Sequence, residues 1–417
     1  MEGQGDVGLH VKRSDIVYKN MRDSELLKKY YSTRTVKIGS SMDISGDSPT
    51  DIFIGRFGYP KVFIGPLVPP VFGNTEILAT PEMWRNISSI PKIFEMRTSL
   101  VRGLYETNIK NVEKGKVEEI VRDLALAERP ATSQLSLKVK SNSPSLNDDS
   151  TPFGPSGSIR ELEVGNLRPE KKIEKLYSDT DARAVDAVFE LYEKGIPVSK
   201  IQKGFSAGLF GKGPNRKFVP TRWSITAVDD TISKENLKEV KGYDSIDSIM
   251  AFYSVALDNR WLILFFPGSW EYESLEAFWP HTVWNENGKD ISIFGSYEPY
   301  EGRKTYAEMG GCYYSGKLAI TEKMRLMKKQ GAALILREAH EGYTAPVGVW
   351  NVREHVRETL ETQPTYLNNL DDVFKFIGER LELTRAQWVS NSRLLRILLS
   401  QRRLWDYVRY TDKAISV

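Results

Sequence analysis

"RWLILFFP", residues 260–267, carries six consecutive apolar side chains after its arginine and stops at a proline. A strand turns successive side chains to opposite faces, so an unbroken apolar run asks for burial on both. The segment therefore reads as a central strand. "SIMAFYSVAL" (248–257) supplies a neighbour upstream, and "AALILREA" (332–339) a further buried strand downstream. Between and beyond them stand helical patterns: a basic one over Lys317–Gln330, "GVWNVREHVRETLE" (348–361), and an almost wholly helical stretch over Asn368–Tyr410. "DISIFGSYEPYEG" (290–302) adds a strand and a loop.

The N-terminal half mixes the same elements less regularly. "DIFIGRFGYPKVFIGPLVPP" (51–70) reads as two short strands broken at Gly55, at Gly58-Tyr59-Pro60 and at Gly65-Pro66. A helix is expected after Pro91. The polar run "SNSPSLNDDSTPFGPSGS" (141–158) has surface-loop composition. "DTDARAVDAVFELYEKG" (179–195) offers Asp179, Thr180 or Asp181 as an N-cap and Gly195 as the stop of a helix. Irregular alternation of strands and helices predicts an α+β (mixed α/β) chain. A polar segment (1–45) would precede a large N-terminal mixed domain (46–290). A smaller C-terminal α/β region (291–400) would end in helices, followed by a peptide (401–408) and a tail (409–417).

At 417 residues the chain can bury a large core. Its net charge of +3 is too small for charge alone to indicate nucleic acid, so any such surface must be local. With one cysteine, Cys312, no intramolecular disulfide and no zinc ribbon is available. Four scattered histidines make no zinc pair. No zinc site and no membrane span are expected, and the N-terminus lacks an apolar signal core. The default is a soluble, cytoplasmic protein.

Four segments hold residue types that chemistry uses. "GLFGKGPNRKFVPTRW" (208–223) surrounds Lys212 with glycines and follows it with Arg216 and Lys217, a composition able to cradle phosphate. It lacks the Walker spacing, and a basic surface loop fits equally. "TRWSITAVDD" (221–230) places Arg222, Trp223, Asp229 and Asp230 in one short span; read as a strand, it turns Arg222, Ser224 and Thr226 away from Trp223 and Ile225, and the paired aspartates would hold Mg²⁺ or cap the helix "SKENLKEV" behind them. "GSWEYESLEAFWP" (268–280) interleaves Glu271, Glu273 and Glu276 with aromatics: general acids near ring faces and a base-stacking surface are open readings, beside a helix with one buried aromatic side. In "REAHEGYTAPVGVWNVREHVRE" (337–358), Arg337 and Glu338 stand where a strand yields to a loop. Arg353 and Arg357, four apart, suit either a phosphate or a salt-bridged exposed face with Glu354 and Glu358. Arg222, Asp229, Asp230, Glu271, Arg337 and Glu338 are thus the candidates for chemistry. None forms a nucleophile–base–acid set, and Cys312 in "GGCYYSG" fits a small buried residue as well as a nucleophile.

"QRRLWDYV" (401–408) fits the short pattern by which peptides plug the groove of a sliding clamp: a glutamine, an aliphatic residue three on, and aromatics after two more. Gln401, Leu404 and Tyr407 would fill it, with Val408 where a second aromatic is usual. Leu394, Leu398, Trp405 and Val408 also share a helical stripe, so packing on the body competes.

Taken together, "GRFGYPKVFIGPLVPP" (55–70), "PFGPSGS" (152–158), "VPTRWSITAVDDTIS" (219–233), "WEYESLEAFWP" (270–280) and "REAHEGYTAPVGVWNVREHVR" (337–357) resemble the archaeal Nre family of DNA repair proteins. The resemblance runs in one order from Asp51 to Tyr410. It implies DNA damage repair, DNA as a partner, and recruitment by the sliding clamp PCNA through Gln401, Leu404, Tyr407 and Val408. A four-cysteine zinc module of many relatives has no counterpart before Cys312. The resemblance implies no reaction. The competing expectation from the residues themselves is an enzyme handling nucleotides or phosphate, with an Arg/Asp/Glu site and Mg²⁺.

Overall fold

The computed structural model of the chain describes residues 41–400 apart from 88, 142–149 and 166. Two six-stranded mixed sheets carry it. The first contains β1 (Asp43–Ser48), β2 (Ile52–Ile54), β3 (Lys61–Val68), β4 (Val101–Asn108), β5 (Ala131–Lys140) and β6 (Ser156–Val164), in the order β1-β5-β6-β4-β3-β2. Helices α1 (Ile90–Thr98) and α2 (Lys116–Leu126) interrupt it. α3 (Lys171–Ser178), α4 (Ala184–Glu193), α5 (Val198–Ser206) and α6 (Thr221–Val240) follow. Gly65 lets β3 and β4 approach: a Cβ there would lie 1.9 Å from the carbonyl oxygen of Gly103.

The second sheet runs β10 (Ser292–Glu298), β9 (Glu271–Phe278), β11 (Ala332–Ala339), β8 (Asn259–Phe266), β7 (Ile249–Ala256), β12 (Thr365–Leu367). It is antiparallel except where β11 lies parallel to β9, a junction that needs a crossover, supplied by β10 and helix α7 (Gly311–Met327). The quoted run explains the layering. Trp261, Ile263 and Phe265 face a core shared with α6, α7 and α8 (Trp350–Glu361). Leu262, Leu264 and Phe266 face α9 (Leu370–Gly378), α10 (Arg385–Asn391) and α11 (Arg393–Ser400). Helices thus cover both faces of this sheet. Each of these side chains removes roughly 1.5–3 kcal/mol worth of apolar surface from water before entropy is counted.

The sheet takes strands from both sides of residue 290, so the expected cut there falls inside it. Other expectations are corrected. "TRWSITAVDD" is no strand: Pro220 precedes one continuous helix, α6, and Asp229 and Asp230 lie in its interior instead of capping a later one. "EYESLEAF" is strand β9, not a helix. Helix α4 starts at Ala184, and Asp179 closes the preceding turn by accepting the N–H groups of Asp181 and Ala182. The helix expected from Lys317 begins at Gly311 and is buried through most of its length.

Helix α6 is the common wall of the molecule. Val228 and Ile232 belong to the core of the first sheet, Leu237 and Val240 to that of the second. At the far end, Glu273 of β9 anchors α11: its buried carboxylate accepts the hydroxyl of Ser392 (2.5 Å) and the N–H groups of Arg393 (2.8 Å) and Leu394 (2.9 Å). A carboxylate at a helix start satisfies orphan donors and opposes the helix dipole.

Candidate functional site

The structure disperses the candidates for chemistry. Arg337, buried, donates to Glu276 (2.6 Å) and Asn259 (2.9 Å), with its guanidinium over the rings of Trp261 and Tyr343. Glu338 accepts the N–H groups of Glu382 and Leu383, fixing the loop before α10. Glu271 accepts the Tyr297 hydroxyl at 2.5 Å. Asp229 points inward, whereas Asp230 points outward to Lys234 at 2.6 Å. Arg222 is half-buried beside the exposed Trp223. In the glycine-rich loop, Gly208 and Gly211 take left-handed φ values of 74° and 104°. Arg216 donates to the carbonyls of Gly211 and Asp179, and Lys212 and Lys217 are exposed. Among the described residues, no three His, Cys, Asp or Glu side chains gather as a metal site. Cys312 is buried. The peptide residues Gln401, Leu404, Tyr407 and Val408 lie outside the described residues.

What the fold does assemble is a buried ionic network at the seam of the two sheets. Three donors make four contacts with Asp229: Gln202 (2.8 Å) from α5, Ser315 (2.6 Å) from α7, and one nitrogen of Arg353 on α8 that reaches both carboxylate oxygens (3.2 and 3.3 Å). Arg353 also donates to Glu354 (3.1 Å), and Glu354 accepts from Arg357 (2.7 Å) and Arg85 (3.2 Å). Arg357 grips Glu322 with two nitrogens, at 2.8 and 2.6 Å. Arg353 and Arg357, for which the sequence left a phosphate site and a salt-bridged exposed face equally open, are ion-paired, but inward. Burial pushes the Asp229 carboxyl above its ordinary range, and Arg353, Ser315 and Gln202 pull it back. For Glu354 burial also pushes upward, but Arg357, Arg353 and Arg85 outweigh it and hold the carboxyl below its usual value.

A depressed folded pKa stabilises the fold at pH values above the ordinary 4.5 of glutamate and loses that contribution as pH falls through the folded value. Glu354→Gln should thus flatten the fall in stability between about pH 5 and about pH 3. Urea unfolding at several pH values measures this; an unchanged slope would remove Glu354 from the acid response.

Against this network opens a cleft of about 60 Å³, room for a few waters or a small oxyanion. Its wall takes Asp51, Ile52 and Phe53 from around β2, Arg97 from α1, Gln202 and Lys203 from α5, Thr221 and Ser224 from α6, and Trp350 and Arg353 from α8. Arg97 is fixed by the Asp51 carboxylate (2.8 Å) and the carbonyls of Pro152 (2.9 Å) and Leu78 (2.5 Å). Lys203 is less completely held, with one carbonyl, Ala79, at 2.7 Å and Asp51 at 3.5 Å. Burial pulls its amine below the ordinary lysine value, and Arg97 pushes the same way. Nearby, Arg102 is buried against Phe53 and Phe153 and donates to the carbonyls of Phe53 and Phe63, and burial lowers it to about 9. The cleft is cation-rich, with a lysine that keeps a donor in reserve.

Sequence reading missed Arg97, Gln202 and Lys203, because each sits in a short helix of ordinary amphipathic pattern. Only the tertiary fold shows that these polar positions face inward. Three of the five segments quoted above for the family resemblance contribute wall residues: Leu67 from the first, Thr221, Ser224 and Ile225 from the third, and Val349, Trp350 and Arg353 from the last. A fourth, 152–158, supplies the Pro152 carbonyl that holds Arg97.

A family model described as archaeal Nre, N-terminal, matches residues 21–285, and one described as archaeal Nre, C-terminal, matches residues 298–407. The chain is 39% identical over 374 residues to a protein of Archaeoglobus fulgidus named DNA repair protein NreB, covering 89% of this chain and 94% of that one. It is 31% identical over 363 residues to a second protein of that organism, named DNA repair protein NreA, covering 86% and 90%. It is 34% identical over 354 residues to a Haloferax volcanii protein also named DNA repair protein NreA, covering 82% and 83%. No solved structure matches the chain.

Proposed function

Because the chain belongs to the archaeal Nre family, we propose that it serves DNA repair and is recruited to DNA by the sliding clamp, PCNA, through Gln401, Leu404, Tyr407 and Val408. The observation that carries recruitment is the peptide itself, in its position directly after α11. The C-terminal family match runs through residue 407, which takes in all but the last residue of the octapeptide. Five arginines, Arg393, Arg396, Arg402, Arg403 and Arg409, surround this end of the chain and add attraction for phosphate. Among the described residues no helix is long and apolar enough to cross a membrane. The same reading puts the protein's work in the cytoplasm, with the chromosome.

Titration of the clamp with the whole chain and with a chain ending at Ser400 tests this by calorimetry. The whole chain should bind and the shortened one should not. Equal affinity of the two would end the recruitment reading.

A second reading, a phosphate-handling site, draws on the cleft. Arg97, Lys203 and Arg353 line it, and the Lys203 amine retains a donor for an oxyanion. Inorganic phosphate, or the phosphate end of a nucleotide, bound there should raise the melting temperature of the chain. That rise should vanish in Lys203→Met, a swap of similar length without charge. An equal shift in both proteins would place the ligand elsewhere.

A further inference from the structure

Helix α6 presents an outward stripe that the cleft and the network leave unused. Trp223 begins it, 46% exposed, with its ring 5.2 Å from that of the exposed Tyr59. Beside Tyr59 stands Phe57, 71% exposed, with Arg56 over its ring. One turn further on, Thr226 meets the hydroxyl of Tyr306 at 3.4 Å; that ring is 61% exposed. Lys234 and Lys238 follow at helical spacing, both exposed, and Lys241 closes the stripe over the ring of Tyr300 at 4.6 Å. The loop from Glu298 to Tyr306 runs alongside and makes the opposite bank of a groove of about 440 Å³.

That groove is lined by six cationic and three acidic side chains, an excess that the nearly balanced chain as a whole does not have. The carboxylates are placed: Asp230 pairs with Lys234, Glu298 with the buried Lys317, and Glu301 stands on the loop; just outside, Glu235 pairs with Lys238 and Glu308 with Arg303. Lys304, on the loop, is exposed and has no carboxylate among the described residues. From Trp223 to Lys241 the helix rises about 27 Å at 1.5 Å per residue. Such a length suits the short end of the roughly 4–16-nucleotide sites on which single strands track.

We propose that this stripe, from Tyr59 and Trp223 past Tyr306 to Lys241, is a track for a single strand of DNA, the rings stacking on bases and the lysines meeting phosphates. The track rests on the DNA-repair reading for its choice of DNA. Exposed rings at one end, followed by flexible cations along the helix, favour unpaired bases, because a duplex offers phosphates but hides the faces that rings stack on. The sequence signal was divided between "GRFGYP" and "TRWSIT", two segments that the fold brings ring to ring.

The test is fluorescence anisotropy of the whole chain with a labelled oligonucleotide as single-stranded DNA, as duplex, and as the matching RNA strand, over a range of salt. The single DNA strand should bind tightest. Lys234→Gln with Lys238→Gln should make the slope of log affinity against log salt shallower by about 1.4, at roughly 0.7 for each phosphate no longer neutralised. Trp223→Ala and Tyr306→Ala, both at exposed rings, should each weaken binding about fivefold or more. Clamp titration of the same variants should be unchanged, so loss of the track and loss of recruitment read out separately. Preference for duplex or for RNA, no binding at low salt, or variants that bind like the parent would overturn the track.

Discussion

Arg353→Ala is expected to lose about 3–5 kcal/mol of stability, the range for removing one partner of a buried ion pair. Against the roughly 5–15 kcal/mol that holds an ordinary domain, this is a large share. The substitution leaves Asp229 fully buried with its counter-charge gone and only the neutral donors of Gln202 and Ser315. It also takes from Glu354 one of its three arginines. Adding Asp229→Asn should recover part of the loss, since the amide needs no counter-charge and its oxygen still accepts. Guanidinium unfolding of the two single variants and the double variant gives the coupling directly. A loss under about 1 kcal/mol would mean that Arg353 is not the charge Asp229 depends on.

Leu404→Ala with Tyr407→Ala should weaken clamp binding at least 100-fold. Truncating a central anchor commonly costs about 2 kcal/mol or more, and the two together compound. The proposed recruitment gives both side chains to the clamp and not to the core, so the melting temperature should stay where it is. Val408→Phe restores the second aromatic of the pattern and should tighten binding several-fold. Calorimetric titration with the clamp measures all three outcomes. If the double variant binds as the parent does, the attraction comes from the surrounding arginines, and raising the salt should abolish it.

The layering of the second sheet was legible because burial on both faces leaves a plain mark: β8 and β11 cannot hide from water without unbroken apolar runs. Helix α6 was not legible for the converse reason. Its inward face runs Ser224, Val228, Ile232, Asn236 and Val240, at four-residue spacing, with Asp229 and Ser233 alongside. The period is helical, but polar residues carry part of it, and a search for apolar repeats passes over them. β9 misled in the same way, because Glu273 and Glu276 are buried acids in a strand, and acids three apart look like one solvated helix face. The cleft could not be read at all. Arg97, Lys203 and Arg353 stand far apart in sequence, and nothing local says that α1, α5 and α8 meet. The peptide at 401–408 lies outside the described residues, and its reading rests on the spacing of Gln401, Leu404 and Tyr407 alone.

The anchoring of α11 by Glu273 bears on how far the protein can roam. Gln401 is the very next residue after that docked helix, one Cα–Cα step of about 3.8 Å along the chain. A factor tied on a long flexible leash samples a wide volume and can serve damage at a distance, whereas this one has almost no leash. On the proposed recruitment, a seated peptide would hold the body against the ring. Under the proposed recruitment, lesions would have to be delivered by the passage of DNA through the clamp, and the protein would act as an inspector at a fixed gate and not as a roving searcher.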